Sequence, residues 1–124
     1  VCLLHVGWRG LVSGVIESGL TAVAAKPQEL LAWVGPGIGR AEFVVGGGVH
    51  QQLTRQLPAH AQAFSSYKDK WRADLGLMIE QRLQWAGVAE IRRSETCTAI
   101  NPAAWFSHRR DGRCGRMASL IWLD

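Results

Sequence analysis

Residues 1–10 read Val1-Cys2-Leu3-Leu4-His5-Val6-Gly7-Trp8-Arg9-Gly10. An apolar run meets a glycine-bounded hexapeptide, and an amphipathic run from Leu11 to Val23 follows. That order predicts a buried strand over residues 1–6, a tight turn, and a helix. A strand-to-helix junction pins side chains on a rigid scaffold. It also points free backbone N–H groups and the positive end of a helix dipole at one spot. His5 and Arg9 flank that spot. A neutral imidazole can bind a metal or carry a proton, and a guanidinium can grip an anion in two-pronged fashion. Taken alone, the same residues also fit a histidine and a tryptophan packed in a core, with Gly7 and Gly10 serving only the turn.

Working outward, Leu11, Val12, Val15, Ile16, Leu20 and Val23 recur at helical spacing, predicting one helix over residues 10–25. Gly14 and Gly19 each cost roughly 1 kcal/mol there relative to Ala, a cost that close packing on a sheet explains. Pro27 marks the end. Leu30 to Val34 reads as a buried strand, stopped by the loop Gly35-Pro36-Gly37-Ile38-Gly39. This loop lacks the Lys and Ser/Thr of a phosphate-binding P-loop and the spacing of a dinucleotide fingerprint. Glu42 to Val45 predicts a short strand broken by Gly46-Gly47-Gly48. Val49, Leu53 and Leu57 then mark a short helix ending at Pro58. Residues 59–66 read as an exposed loop, and residues 68–72 as an extended piece.

Asp74 is a natural cap for the next helix. Leu75, Met78, Ile79, Leu83 and Ala86 form its apolar stripe, and Gly87 fits the position just past its end. Met78 and Trp85 are assigned to core packing. Residues 88–92 predict a strand after this helix. Cys97-Thr98 and Asn101-Pro102 fall in a connecting loop, Trp105 to Arg110 in a strand or turn, and residues 117–123 in a closing buried strand.

At 124 residues the chain holds one domain at most. Its 48% apolar content is enough for a core and too much for a disordered chain. No apolar run approaches the ~20 residues of a membrane span, and no signal segment opens the chain. Cys2, Cys97 and Cys114 are three, an odd number without paired metal spacing. They read as free thiols in a reducing compartment, the cytoplasm. A chain opening on Val1, already inside a core strand, reads as a piece of something longer. The net charge of +4 is unevenly placed. Arg92, Arg93, Arg109, Arg110, Arg113 and Arg116 crowd the last third, a surface that attracts phosphates or nucleic acid or is simply solvated. The aromatic residues that single-stranded nucleic acid needs for stacking are not clustered with these arginines.

His5-x-Gly7-Trp8-Arg9-Gly10 resembles the hallmark of the laccase-domain family, the polyphenol-oxidase-like proteins also described as purine nucleoside phosphorylases. The far end carries the matching close. Trp105-Phe106-Ser107-His108-Arg109-Arg110-Asp111-Gly112 and Gly115-Arg116-Met117-Ala118-Ser119 are similar to the family's aromatic, Ser, Arg-Arg-Asp and Gly-Arg-x-Ala-Ser signature. Between them, Gly35 to Gly39, Asp74-Leu75 and Cys97-Thr98 fall where the family has Gly-Pro-x-Ile-Gly, Asp-Leu and Cys-Thr.

The resemblance implies a mixed α/β (α+β) fold, layered helix, sheet, sheet, helix. Residues 1–124 would be the C-terminal part of a single laccase-type domain whose N-terminal half is absent. It implies a metal, zinc with copper possible, held by two His and one Cys with an open position, the arrangement of catalytic zinc. Only His5 carries over as a ligand, since the other His and the reactive Cys belong to the absent half. Arg9, Ser107, Arg109 and Arg110 carry over as catalytic or substrate-binding residues. His108 stands where the family often has Tyr, which leaves its role open. The implied reactions are phosphorolysis of adenosine, inosine, guanosine and methylthioadenosine, and deamination of adenosine. Copper-dependent laccase chemistry ranks low, because the chain has no His-x-His or Cys-His run. Two alternatives stand beside this reading: an amidase that edits peptidoglycan precursors on the same scaffold, and a non-catalytic basic binding module. The expected partners are a purine nucleoside and phosphate, with no membrane or nucleic acid, and self-association through an exposed strand edge or with the absent half. The chain departs from the family at Val44, Gly47 and Gly48, where acidic residues are usual. Alone, it is expected to be inactive, because one His cannot hold a catalytic metal.

Overall fold

The computed structural model describes residues 1–123. It is a mixed α/β fold with a parallel and an antiparallel sheet. The elements in chain order are α1 (Trp8–Val12), α2 (Val15–Val23), β1 (Leu31–Val34), β2 (Val44–Val45), α3 (Gly47–Gln56), β3 (Phe64–Tyr67), β4 (Lys70–Ala73), α4 (Leu75–Trp85), β5 (Glu90–Arg93) and α5 (His108–Asp111). Strands β1 and β5 pair in parallel, with Leu31 opposite Glu90 and Val34 opposite Arg93. The other sheet is antiparallel in the order β2-β4-β3. Its β3–β4 hairpin turns at Lys68, which takes a φ of 55°.

The core lies where α1, α2, α3 and α4 meet the antiparallel sheet. Leu11, Ile16, Phe43, Val45, Leu53, Ala63, Phe64, Ala73, Met78, Leu83 and Val88 are buried together there. Arg82 on α4 reaches into it and donates to Glu17 on α2 at 2.6 Å and to Gln56 on α3 at 3.3 Å. Gln56 in turn donates to the carbonyl of Val12 at 2.8 Å. Four helices are therefore tied by one polar chain, which offsets part of the desolvation of the buried Arg82 and the partly buried Glu17.

Local signals in the sequence translate directly into α4. Asp74 accepts from the Leu77 N–H at 2.8 Å, an N-cap bond. Gly87 takes a φ of 87° just past the helix end, where a side chain would be strained. The predicted strands at β1, β2 and β5 are also present. So is the helix after the glycine triplet, although it begins at Gly47 rather than beyond the triplet.

Several expectations are corrected. Residues 1–6 form no strand, and Val1, Leu3 and Leu4 are exposed. Residues 117–123 likewise form no strand and are exposed throughout. The reason is the same at both ends. An extended apolar segment becomes a strand only when a neighbour takes up its N–H and C=O groups, and no described residue pairs with either segment. The single helix over residues 10–25 is two, because Gly14 adopts the left-handed region at φ 80° and ends the first. Gly19 is packed closely, but against Leu4 rather than a sheet. A Cβ there would lie 2.5 Å from Leu4 Cδ1.

Strand β1 is buried on one face only, with Leu31 and Trp33 pointing outward and exposed. Trp85 is not core: it closes α4 on the solvent side, 68% exposed. Residues 59–66 are no exposed loop. They form a 3-10 helix, Pro58–Ala63, that buries His60 and Ala63 completely and leads into β3. His60 fits inside because Gln81 Oε1 sits 2.9 Å from its Nδ1, and Gln81 Nε2 donates to the carbonyl of Ala59 at 2.9 Å. Gln81 can only accept at that oxygen, so the imidazole proton is assigned to Nδ1.

Candidate functional site

The opening hexapeptide does make a concave surface. His5, Gly7, Trp8, Arg9 and Gly10 line an open depression of about 260 Å³. Helix α1 starts here because Gly7, extended at ψ 172°, receives the Leu11 N–H on its carbonyl at 2.9 Å. No side chain caps this end. The His5 ring lies beside Gly7, where a Cβ would come within 3.7 Å of Nε2. Gly10 is held close to Val15, with 3.3 Å between a built Cβ and Val15 Cγ1. Arg9 lays its guanidinium over the Trp8 ring at 4.4 Å from the centroid, a cation–π contact that fixes its direction. Both His5 and Arg9 are exposed, so the imidazole is not sealed among aliphatic side chains.

Ser107, Arg109 and Arg110 do not line that depression. They gather at α5 instead. Ser107 is buried and caps the helix, its Oγ accepting from the Arg110 N–H at 3.4 Å. Arg109 stays exposed, donating from Nη1 to the carbonyl of Val44 at 3.1 Å and lying 5.3 Å from the Phe43 ring centroid. Arg110 turns the other way and makes a two-pronged pair with Asp111 at 2.7 and 2.6 Å. The hydrogen bond from Arg110 holds the Asp111 carboxyl below its usual range, and the same bond raises the Arg110 guanidinium. His108 is engaged locally, its Nδ1 lying 2.6 Å from the carbonyl of Gly112.

Where acidic residues were expected near β2, the structure has an open helix start. Helix α3 has Gly46 as its N-cap, no side-chain cap bond and no acidic residue in its first turn. A Cβ at Gly46, Gly47 or Gly48 would meet nothing within 4 Å.

Two relations were not visible in the sequence. The Gly35-to-Gly39 loop and Cys97-Thr98 form one unit. Gly37 and Cys97 make a parallel bridge, Thr98 donates to the carbonyl of Gly37 at 2.8 Å, and the Gly39 N–H points at Cys97 Sγ at 3.1 Å. A Cβ at Gly39 would sit 3.0 Å from Cys97 Cβ, so a side chain there would press Cys97 outward. The second relation centres on Asp74, which receives Arg93 at 3.5 Å and Arg40 at 3.8 Å besides capping α4. Three elements distant in sequence meet on that carboxylate.

Among the described residues no group of three or more His, Cys, Asp or Glu stands together to hold an ion. A catalytic zinc takes three protein ligands. His5 is one imidazole, so the described residues do not by themselves fit that site. Cys2, Cys97 and Cys114 are free thiols. No helix of the described residues is long and apolar enough to cross a membrane.

The chain is similar to known proteins over its whole length. The profile of the family described as multi-copper polyphenol oxidoreductase laccase matches residues 1–124. The purine nucleoside phosphorylase YfiH of Escherichia coli is 42% identical over 123 residues, covering 99% of this chain and 51% of the relative. The purine nucleoside phosphorylase YlmD of Bacillus subtilis is 32% identical over 132 residues, covering 99% of this chain and 47% of that protein. Among solved structures, the Neisseria meningitidis protein NMB0706 superposes with a TM-score of 0.92 at 38% identity, over 97% of this chain and 50% of that one. The chain thus spans about half the length of the curated relatives it matches.

Proposed function

Because the chain belongs to the multi-copper polyphenol oxidoreductase laccase family, we propose that residues 1–124 are the C-terminal part of one purine nucleoside phosphorylase domain. The observation that supports this most is the pair of exposed, individually braced guanidinium groups, Arg9 over Trp8 and Arg109 over Phe43. Phosphorolysis joins phosphate to the sugar carbon as the purine leaves, so the protein must hold a dianion in place. Arginines with fixed direction suit that task, because they offer planar paired donors and need no reorganisation as charge moves. Of the candidate residues, Arg9 and Arg109 are the anion-holding groups, and Ser107 and Arg110 shape the α5 turn that carries Arg109. His5 is this chain's one metal-ligand candidate. The remaining ligands would come from outside the described residues, so no step is routed through a metal.

Adenosine, inosine, guanosine and methylthioadenosine are the substrates this reading carries, with adenosine deamination as a side activity. The free thiols favour the cytoplasm. The exposed apolar residues Val1, Leu3, Leu120, Ile121 and Leu123 leave apolar area that a completing half or a second copy would cover.

The test is a nucleoside assay on the intact gene product that carries this chain. Hypoxanthine should leave inosine only when phosphate is present, and the 124 residues alone should turn over nothing. Release that ignores phosphate, or zinc-dependent turnover by the 124 residues alone, contradicts the assignment. Removal of an amino acid from a muropeptide precursor, with nucleosides untouched, would move the assignment to the editing amidase. Salt-sensitive binding of RNA without any turnover would move it to the binding module.

A further inference from the structure

Neighbouring arginines of the Arg109-Arg110-Asp111 triplet do different work. Every side-chain nitrogen of Arg110 is already engaged. Nε and Nη2 meet the two Asp111 carboxylate oxygens at 2.7 and 2.6 Å. Nη1 donates to the carbonyls of Thr98 and Ala99 at 3.3 and 3.2 Å, and Nη2 also donates to that of Trp105 at 3.0 Å. Residues 94–107 contain no helix or strand, so their carbonyls have few ladder partners of their own. The Arg110 guanidinium supplies what a ladder would, joining the chain after Cys97 to the chain before Ser107. The Ser107 cap then closes α5 onto the same point. Arg109 is exposed and, among the described residues, is anchored at Val44 and Phe43.

We propose that Arg110, locked by Asp111, is a positioning residue: it fixes the 97–111 loop so that Arg109 presents its guanidinium to the anionic substrate. This rests on the assignment of Arg109 as an anion-holding group above. The loop lies largely outside the buried apolar cluster of the helices and the antiparallel sheet. Loosening it therefore displaces Arg109 without dissolving the core.

Charge and position predict opposite signs for one substitution, which makes the proposal testable. Replacing Asp111 by Asn removes a negative charge beside the arginines. On charge alone, Asp111→Asn tightens phosphate binding. If Asp111 acts by locking Arg110, the same change weakens it. Arg110→Lys keeps the charge but offers a point donor that cannot span a carboxylate and three carbonyls.

The experiment is an inorganic phosphate titration, by calorimetry, of the intact gene product that carries this chain, with near-ultraviolet circular dichroism confirming a native core in each variant. Arg109→Ala, Arg110→Lys and Asp111→Asn should each weaken binding by about tenfold, the worth of one charge-assisted hydrogen bond. If Arg109→Ala weakens binding but Arg110→Lys keeps it within twofold, or Asp111→Asn tightens it, the positioning role is wrong and the anion site stands. If Arg109→Ala leaves binding unchanged, or the unaltered intact protein takes up no phosphate, the anion site itself falls and the positioning role with it. Adding methylguanidinium to an Arg110→Ala variant should restore part of the lost affinity. A general loss of folding would not respond to that addition.

Discussion

Replacing Asp74 by Asn and by Ala separates two jobs that one carboxylate performs. Its Oδ1 caps α4 by accepting from Leu77 N–H at 2.8 Å. The same group draws in Arg93 at 3.5 Å and Arg40 at 3.8 Å, with Asp74 and Arg93 both 24% exposed and Arg40 39% exposed. Asparagine keeps a capping oxygen and is as good an N-cap as aspartate, so Asp74→Asn removes only the ion pairs. Partly exposed pairs at these separations contribute about 0.5 kcal/mol each, so Asp74→Asn should cost about 1 kcal/mol. Asp74→Ala also loses the cap, worth about 1 kcal/mol more, for a total near 2 kcal/mol. With a urea slope of about 2 kcal/mol per molar, the Ala variant should unfold about 1 M earlier and the Asn variant about half that. At about 1 M salt, where charges are screened within ~3 Å, the Asn penalty should shrink while the difference between the two variants persists. Equal losses for both variants would show that the cap carries nothing. A salt-independent Asn penalty would show that the ion pairs carry nothing.

Burial, the largest influence on His60, lowers its pKa. The Arg82 charge pushes it further down, and the Gln81 hydrogen bond pulls partly back. The unfolded chain therefore binds more protons as pH drops through the ordinary imidazole value of about 6.5, and stability should decline below that pH and level off only beneath the folded value. Urea midpoints measured between pH 7.5 and 5 should fall, and a His60→Gln variant should flatten that decline. Gly14→Ala, at φ 80°, should cost about 1–2 kcal/mol. Gly48→Ala, inside α3 with open space around it, should gain about 0.5–1 kcal/mol, so thermal melts of the pair should shift in opposite directions.

What was legible in the sequence was what neighbouring residues decide among themselves. The Asp74 cap, the Leu75-to-Leu83 stripe and Gly87 define α4 without help from the rest of the chain. Residues 1–6 and 117–123 were misjudged because apolar content states only that a segment wants cover, and a strand needs a partner at hydrogen-bonding distance. Gly14 was read as a packing concession inside one helix, whereas its freedom at positive φ makes it a stop. His60 was hidden because its acceptability inside depends on Gln81, far along the chain. At the candidate site, the motif residues were visible one by one. The division of work between Arg109 and Arg110 was not, since it depends on which carbonyls each guanidinium reaches, Val44 for one and Thr98, Ala99 and Trp105 for the other. The contact of Gly39 with Cys97 joins two motifs that read as separate loops.

The parallel pair of β1 and β5 has a consequence for how the molecule assembles. Leu31 faces Glu90 across that pair, so most of the middle of the chain lies between its two strands. The β3–β4 hairpin and α4, by contrast, follow one another without a gap. Closing a long loop is entropically costly until the intervening chain is already compact. The hairpin and α4 are therefore expected to form before the β1–β5 contact closes. Trp33 on the late strand and Trp71 on the early one are built-in fluorophores, one at each end of that order.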